Sequence, residues 1–409
     1  MRLDPEAEAA GPASPDVRQV GDDQGAMSRT LVLLFAVASG LAVANAYFAH
    51  PLLDVMAADL GLPSATIGLV VGATQVGYGL GLIFLVPVGD LLDRRKLVIV
   101  QSLLSVAALF CVGFASTGLA LLVAMAAMGF FAVVTQAFVA YAASLASPAR
   151  RGEVVGTVTS GIVLGILLAR VVAGALADVS GWRAVYLLSA ALTLMIAAVL
   201  FYVLPPQPGR GERLSYPKLI GSLVTVFLQE RVLRVRAILA MLIFADVTIL
   251  LTPLVLPLSA PPFSLSHTAI GLFGLAGAAG ALGAARAGRW TDRGHGERVT
   301  GIALVLMLVS WLPIALLSHS ILWLIAGMLI LDFGLQAVHV TNQGLIYRVR
   351  PEAQSRLTAA YMVFYSIGSA LGSSSSTVVY AHYGWTSVCL LGATIAASAL
   401  VFWAVTLRR

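Results

Sequence analysis

The sequence predicts an all-α integral membrane protein with twelve transmembrane helices in two pseudo-symmetric six-helix bundles, on three observations. The first is composition: of 409 residues, 59% are hydrophobic and 11% charged, with a mean hydropathy of +0.94, against roughly 45 to 50% apolar and about 25% charged in soluble domains. The second is where charge is missing. Residues 97–149 and 357–407 hold no Asp, Glu, Lys or Arg, and each stretch has room for two spans of about 20 residues. The third is internal repetition. GDLLDRRK at 89–96 returns as GRWTDR at 288–293, pairing Gly89 with Gly288, Asp93 with Asp292 and Arg94 with Arg293. Farther on Pro148 matches Pro351, Gly165 matches Gly368, and GWRAVYLLSA from Gly181 aligns with GWTSVCLLGA from Gly384. A long-period duplication in so apolar a chain points to two related bundles.

Apolar runs separated by turn residues place α1–α12 near 30–56, 66–88, 97–116, 118–145, 153–178, 183–204, 235–258, 268–288, 299–318, 321–347, 356–380 and 386–406. The breaks at Ser116, Thr117, Gly118 and at His382, Tyr383, Gly384 prevent each uncharged stretch from being one helix. The runs are continuously apolar instead of alternating, so helices and not barrel strands satisfy the backbone in lipid. Residues 1–29, rich in Ala, Pro, Asp, Glu and Gly, are expected to be a disordered cytoplasmic tail and not a signal peptide. The N-terminal six-helix bundle is expected at 30–204, a cytoplasmic linker at 205–234 and the C-terminal bundle at 235–409. The linker opens PPQPGRGER, and its stretch near 215–231 reads as an interfacial helix. Cys111 and Cys389, the chain's two cysteines, fall in different predicted spans, so no disulfide or zinc framework is expected.

Lys and Arg placement sets the orientation. The N-terminal tail carries three, the α2/α3 loop three, the α4/α5 loop two, the central linker six, the end of α8 with its loop four, the α10/α11 connection three and the C-terminus two, or 23 of 25. Both termini are therefore expected in the cytoplasm of a multi-pass protein of the plasma membrane, most simply a bacterial inner membrane. The formal charge of +6 comes from these loops and implies no nucleic-acid partner.

Twelve helices, parallel halves and a G-x-x-x-D-R sequence after both α2 and α8 resemble the major facilitator superfamily over residues 30–406. Its most specific part is Gly89, Asp93, Arg94, Arg95 and Lys96, doubled at Gly288, Asp292 and Arg293. The resemblance implies a cytoplasmic gate, in which the α2/α3 loop latches onto the start of α11 when that side is closed. Independently, Asp90 and Asp93 lie at the negative end of the α2 dipole and need compensation, which Arg94, Arg95 and Lys96 supply. Small residues Gly161, Gly165, Gly174, Gly368 and Gly372 are expected to let helices approach closely. Two departures from the family's proton-linked antiporters stand out: Ile166, not proline, follows Gly165, and α4 offers Met125 where an arginine is common.

Titratable residues inside spans are costly, so each is a site candidate. Proton-coupling candidates are Asp332, His339, Asp246 and Arg170. In α10, Asp332, Gln336, His339 and Gln343 recur at i, i+4, i+7 and i+11, one stripe on a helix of about 100° per residue. Gln336, Asn342, Gln343, Asn45, Tyr47 and Gln136 are the substrate-cavity candidates. His50 and Asp54 stand at the outer end of α1. No Walker, GxSxG or dinucleotide sequence is present and the six histidines are scattered, so neither enzyme chemistry, cofactor nor metal is expected.

The expected function is secondary active transport of a small organic molecule by alternating access. The α10 run LDFGLQAVHVTNQ and the GWR after α5 look similar to the drug and sugar efflux branch, which implies proton-coupled efflux. Uptake of a sugar or organic anion by proton symport or facilitation is the alternative. An intramembrane enzyme with His50 or His339 as base lacks a second catalytic group, and a sensor or scaffold predicts no proton movement. The expected partners are the bilayer, the cargo and protons, with a monomer as functional unit.

Overall fold

The structure is a computed structural model that describes residues 28–147, 150–205, 216–350 and 354–407. The predicted tail up to residue 27, linker residues 206–215, and the repeat partners Pro148 and Pro351 lie outside the described residues. The chain is an all-α membrane protein of twelve helices in two bundles, and no strand occurs among the described residues. Nine described helices are long and apolar enough to cross a membrane. One of them, Gln354–Leu407, is two spans broken at Gly384, whose φ of 75° no side chain adopts readily. The shorter apolar helices Arg29–Ala44 and His267–Ala276 belong to α1 and α8.

The spans follow the predicted order. Arg29–Ala44 opens α1, but the single helix expected at 30–56 is broken: residues 45–49 leave the helix, and His50–Leu52 and Leu53–Leu60 complete it around Pro51. Gly68–Phe84 is α2 and Arg94–Gly113 is α3; α4 is Gly118–Ala132 and Val134–Leu145, interrupted at Val133; Arg151–Ser180 is α5 and Trp182–Val203 is α6. In the second half α7 is Arg231–Leu251 with Val255–Ser259, and α8 is His267–Leu272, Phe273–Ala276 and Gly277–Trp290. Gly296–Ala315 is α9, Ile321–Tyr347 is α10, and residues 354–383 and 385–407 form α11 and α12. The linker does hold a helix, Tyr216–Gln229, which buries Leu219, Leu223 and Val226 on one face and stacks Phe227 on Phe364 of α11, 4.9 Å between ring centres.

The duplication read from the sequence is repeated in the packing. Within the first half α1 packs on α5, α2 on α4 and α3 on α6; within the second, α7 packs on α11, α8 on α10 and α9 on α12. The predicted glycines serve those seams. Gly161 and Gly165 lie on Ala36 and Gly40 of α1, and Gly368 and Gly372 lie on Met241 and Ala245 of α7, close approaches that small residues permit.

Between the halves the packing is uneven. Call the end carrying 89–96 and 288–293 the basic end, and the opposite one the far end. At the far end α2 meets α11 and α5 meets α8. A Cβ at Gly68 would stand on the carbonyl oxygen of Ser373, and one at Gly174 on that of His267. Toward the basic end α5 parts from its partner: Gly152 and Gly156 have nothing within 4 Å of a would-be Cβ. The halves are thus in close contact at the far end, and among the described residues α5 makes no such contact at its basic-end glycines.

Candidate functional site

Where the two halves begin to part, aromatic and titratable side chains collect. The Tyr47 hydroxyl from α1 meets the Tyr365 hydroxyl from α11 at 3.1 Å. Tyr365 also sets its ring edge-on to Phe244 of α7 at 4.2 Å and to Tyr78 of α2 at 6.4 Å between centres. Phe244 in turn meets His339 of α10 edge-on at 5.2 Å, and Gln136 of α4 lies beside the Tyr78 hydroxyl. Three spans from each sequence half thus contribute to one patch, apolar in its rings and polar at its rims, which suits an amphipathic organic guest.

Arg170 crosses from α5 into this region. Its guanidinium stands 5.6 Å from the Tyr47 ring centre, within cation–π range, and its stem packs against Gly274 of α8. Arg170 and Asp332, on opposite halves, lie within range of each other's charge but form no ion pair within 4 Å among the described residues, and the buried Arg170 Nε finds no hydrogen-bond partner there. Arg170 thus faces the bundle interior and the second half. Above it, toward the far end, lies a small cavity of about 20 Å³ lined by His50, Pro51, Arg170, Ile270, Phe273 and Met328 among others.

The α10 stripe divides by environment. Asp332, Gln336, His339 and Gln343 are all partly exposed, and Gln336 covers Gly280 of α8. Asn342, next to the stripe, is fully buried and belongs to another set of bonds. It donates to Tyr361 at 3.5 Å and accepts from Arg236 at 3.4 Å, while Tyr361 pairs with His339 Nδ1 at 3.0 Å. Arg236 also donates to Thr300 and forms an ion pair with Glu297, whose other oxygen accepts from Trp403 at 3.0 Å. Arg236 sits in α7, 4% exposed. Arg231, Arg234 and Arg236, all counted among the linker cations, lie in α7, and Arg236 is turned inward.

Asp246 is placed away from the other candidates. It is 1% exposed and accepts from Trp311 Nε1 of α9 at 2.9 Å, with its second oxygen unpartnered among the described residues. Asn45 likewise turns into its own half, accepting from Ser189 of α6 at 2.6 Å.

At the basic end Asp93 caps α3, accepting from the backbone N–H of Arg95 at 2.8 Å and of Lys96 at 3.4 Å. Arg94 donates to the Ala140 carbonyl of α4 at 3.2 Å and Arg95 to the Phe201 carbonyl of α6. In the second half Asp292 pairs with Arg348 at 3.3 Å, and Gly288 lies beside Val340 of α10. Arg293 is exposed, and the Asp90 side chain lies outside the described residues. Each copy of the repeated loop is thus tied to its own half.

At the far end three side chains that share no sequence neighbourhood meet. His267, the residue just ahead of the apolar run of α8, places Nδ1 2.9 Å from Asp178 of α5 and Nε2 3.1 Å from Asp54 of α1. Nearby, Arg183 forms an ion pair with Asp59, which also accepts from Trp182 at 3.1 Å.

Two related bundles with a polar, aromatic patch at their interface, in close contact at one end, define a membrane transporter. The chain belongs to the Major Facilitator Superfamily, whose family model matches residues 34–293 and 236–409. An uncharacterized transporter, YgaY of Escherichia coli O157:H7, is 46% identical to it over 377 residues, 92% of this chain and 95% of the relative. The multidrug resistance protein MdtG of Proteus mirabilis is 24% identical over 331 residues, 77% of this chain and 79% of its own. Among solved structures, a bacterial homolog of the human lysosomal transporter Spinster, inward-facing and unoccupied, shares the fold with a TM-score of 0.75 at 13% identity, over 93% of this chain and 96% of that one.

Proposed function

We propose that this transporter exports a small organic molecule in exchange for protons, with the bundles 30–204 and 235–409 rocking about the interface patch. In this reading the basic end and both termini face the cytoplasm of a bacterial cell, and the arrangement seen is the one open inward. The similarity to MdtG is consistent with efflux. The observation that carries the proposal is the pair of opposite charges on opposite halves, Arg170 on α5 and Asp332 on α10.

The coupling follows from that pair. With the carrier empty and Asp332 ionised, attraction to Arg170 ties the halves in the far-shut arrangement and disfavours an empty return. A proton on Asp332, or a cargo group engaging it, removes the attraction and frees the halves to move. Only loaded forms then cross, and proton and cargo exchange. His339, Gln336 and Gln343 on the same stripe, with Tyr47 and Gln136 opposite, would contact the cargo. Asp246, held by Trp311 within the second half, is the reserve proton site.

Asp332→Asn is expected to lose pH-gradient-driven transport by more than about tenfold, the scale of 1.4 kcal/mol in coupling, while equilibrium exchange of cargo in proteoliposomes persists. Wild-type levels of both would make Asp332 structural and move the assignment to Asp246. Arg170→Ala is expected to permit empty return, measured as net cargo efflux without counter-moving protons; Arg170→Lys, a point charge for a planar fork, falls between. A second reading is favoured by the unpartnered Arg170 Nε: an organic anion bound by the guanidinium and taken up with protons. A cargo panel sorted by charge, read as thermal stabilisation of the folded protein, separates the two.

A further inference from the structure

The far-end cluster of Asp54, His267 and Asp178 is used by neither the fold's packing argument nor the coupling pair. The ring nitrogens of His267 face two acceptors: Nδ1 lies 2.9 Å from Asp178 Oδ1, and Nε2 lies 3.1 Å and 3.3 Å from the two oxygens of Asp54. A neutral imidazole carries one N–H and can serve one of these partners; its other nitrogen would turn a lone pair toward a carboxylate. Only the imidazolium, a donor at both nitrogens, satisfies the geometry with both aspartates ionised.

The two sides of this clasp differ. Asp178 accepts three further bonds that no proton on the ring can alter: from the backbone N–H of His267 at 3.1 Å, the backbone N–H of Thr268 at 2.8 Å and the Thr268 hydroxyl at 2.6 Å. Its hold of α5 on α8 is permanent while the seam is shut. Among the described residues Asp54 is otherwise bonded only to its neighbour's N–H, Val55 at 2.8 Å. The polar tie between α1 and α8 therefore rests on the second proton of His267.

We infer that Asp54 and His267 form a proton-operated latch on the far-side gate, with Asp178 positioning the imidazole, so that protons in the far-side solution hold that gate shut. The inference rests on the alternating-access reading of the protein and is independent of which residue couples transport.

The surroundings leave this pair in charge of the effect. Residues 247–266, which carry α7 and its loop over the cluster, contain no titratable side chain. On α1, His50 lies one turn deeper and hydrogen-bonds the Tyr47 carbonyl at 3.4 Å; Asp59 beyond it is paired with Arg183. On α5, Arg170 is two turns deeper and turned toward Tyr47 and Asp332. Carboxylates on both sides of the His267 ring favour its protonated form.

The sign follows. The shut state binds the proton more tightly than an open state in which the imidazole faces water. Its extra stability is present while the shut-state imidazole holds its proton and is lost as pH rises far enough to remove it. Over that range the shut-to-open ratio falls by up to about tenfold per pH unit, the limit for one linked proton.

The test uses the full-length protein in nanodiscs, carrying Cys111→Ser, Cys389→Ala and Asp332→Asn so that coupling at the cavity is silent. Spin labels at Ser64→Cys and Ala260→Cys, on exposed far-end loops of the two halves, report the gate from pH 6 to 10. A second labelled pair across the basic end reports alternation itself. The expected result is a far-end distance distribution that shifts from short to long through this range. His267→Gln, which carries no charge and does not titrate, is expected to flatten the titration with the gate weakened throughout. Asp54→Asn is expected to flatten it with the gate shut throughout, since its amide can donate to a neutral imidazole. A wild-type titration that survives unchanged in both variants, or a far-end distribution independent of pH while the basic-end pair responds to cargo, overturns the latch. A basic-end pair that never changes overturns alternating access instead.

Discussion

The two ends of the molecule are closed by different physics. At the far end the halves touch backbone to backbone: Gly68 on Ser373 and Gly174 on His267, with the Thr377 hydroxyl of α11 donating to the Ala65 carbonyl at 3.1 Å. In lipid no hydrophobic force draws helices together, so a seam of small residues gains its stability from close van der Waals contact and interhelical hydrogen bonds. At the basic end the halves stand apart along α5, and the linker helix spans them, with the Tyr216 hydroxyl on the Phe84 carbonyl of α2 at 2.7 Å and Glu230 paired with Arg350 at 2.7 Å. Charges there face water and salt, where exposed pairs contribute about 0 to 1 kcal/mol. The comparison separates an end held by close contact of small residues, with one charged clasp added to it, from an end held by charges at the water alone.

Substituting the seam glycines should break this contrast most severely. Gly174→Leu puts a side chain where the His267 carbonyl now lies, so the far end cannot shut. Transport is expected to fall to background in a protein that still inserts, with the far-end label pair fixed at its long distance at every pH. Gly156→Ala, in open space on the same helix, is the counterpart. It should leave transport within about twofold and raise the melting temperature, as Ala gains up to about 1 kcal/mol over Gly in a helix. Equal effects from the two would erase the distinction between the ends.

A smaller effect is expected from the bonds inside the second half. Arg236→Met removes a buried cation and leaves Asn342 without its donor, a loss of about 1 to 3 kcal/mol. Glu297 keeps Trp403 and is about half exposed, so its own charge remains solvated. Thermal unfolding should show the loss, while the pH dependence of the far end stays as in wild type.

These features were legible in the sequence to different depths. Apolar runs and the duplication are properties of the chain read along its length, and they gave the span order, the linker helix and the glycine seams inside each half. Periodicity places residues on one face of a helix and does not say which helix that face meets. Hence Asn342 and Asn45, expected to line a cavity, bond within their own halves to Arg236 and Ser189. Arg231 and Arg234 were grouped with the linker because the start of α7 was placed four residues late, and Arg236 was counted with them although it falls inside the predicted span. Tyr361 and Tyr365 carried no signal apart from a helical aromatic pair, and only their meeting with His339 and Tyr47 marks them. The clasp of Asp54, Asp178 and His267 joins residues 89 and 213 positions apart; no local pattern could have found it. A histidine just ahead of a span and an acid near the end of each of two others were the available hint.

The smallest effect expected is also the one that tests the basic end most cleanly. Asp93 has two separable functions. Here it caps α3 through Arg95 and Lys96, and in the proposed state closed at this end its charge would meet the positive N-terminus of α11. Asparagine caps a helix about as well as aspartate, whereas alanine costs about 1 kcal/mol. Asp93→Asn should therefore keep the melting temperature while removing the charge, and Asp93→Ala should lower it by a few degrees. If the latch operates, both variants slow transport alike and both leave the basic-end labels farther apart during turnover, because charge and not the cap is what they share in losing. If only the alanine variant is slow, Asp93 is a cap and nothing more, and the basic end closes without its charge.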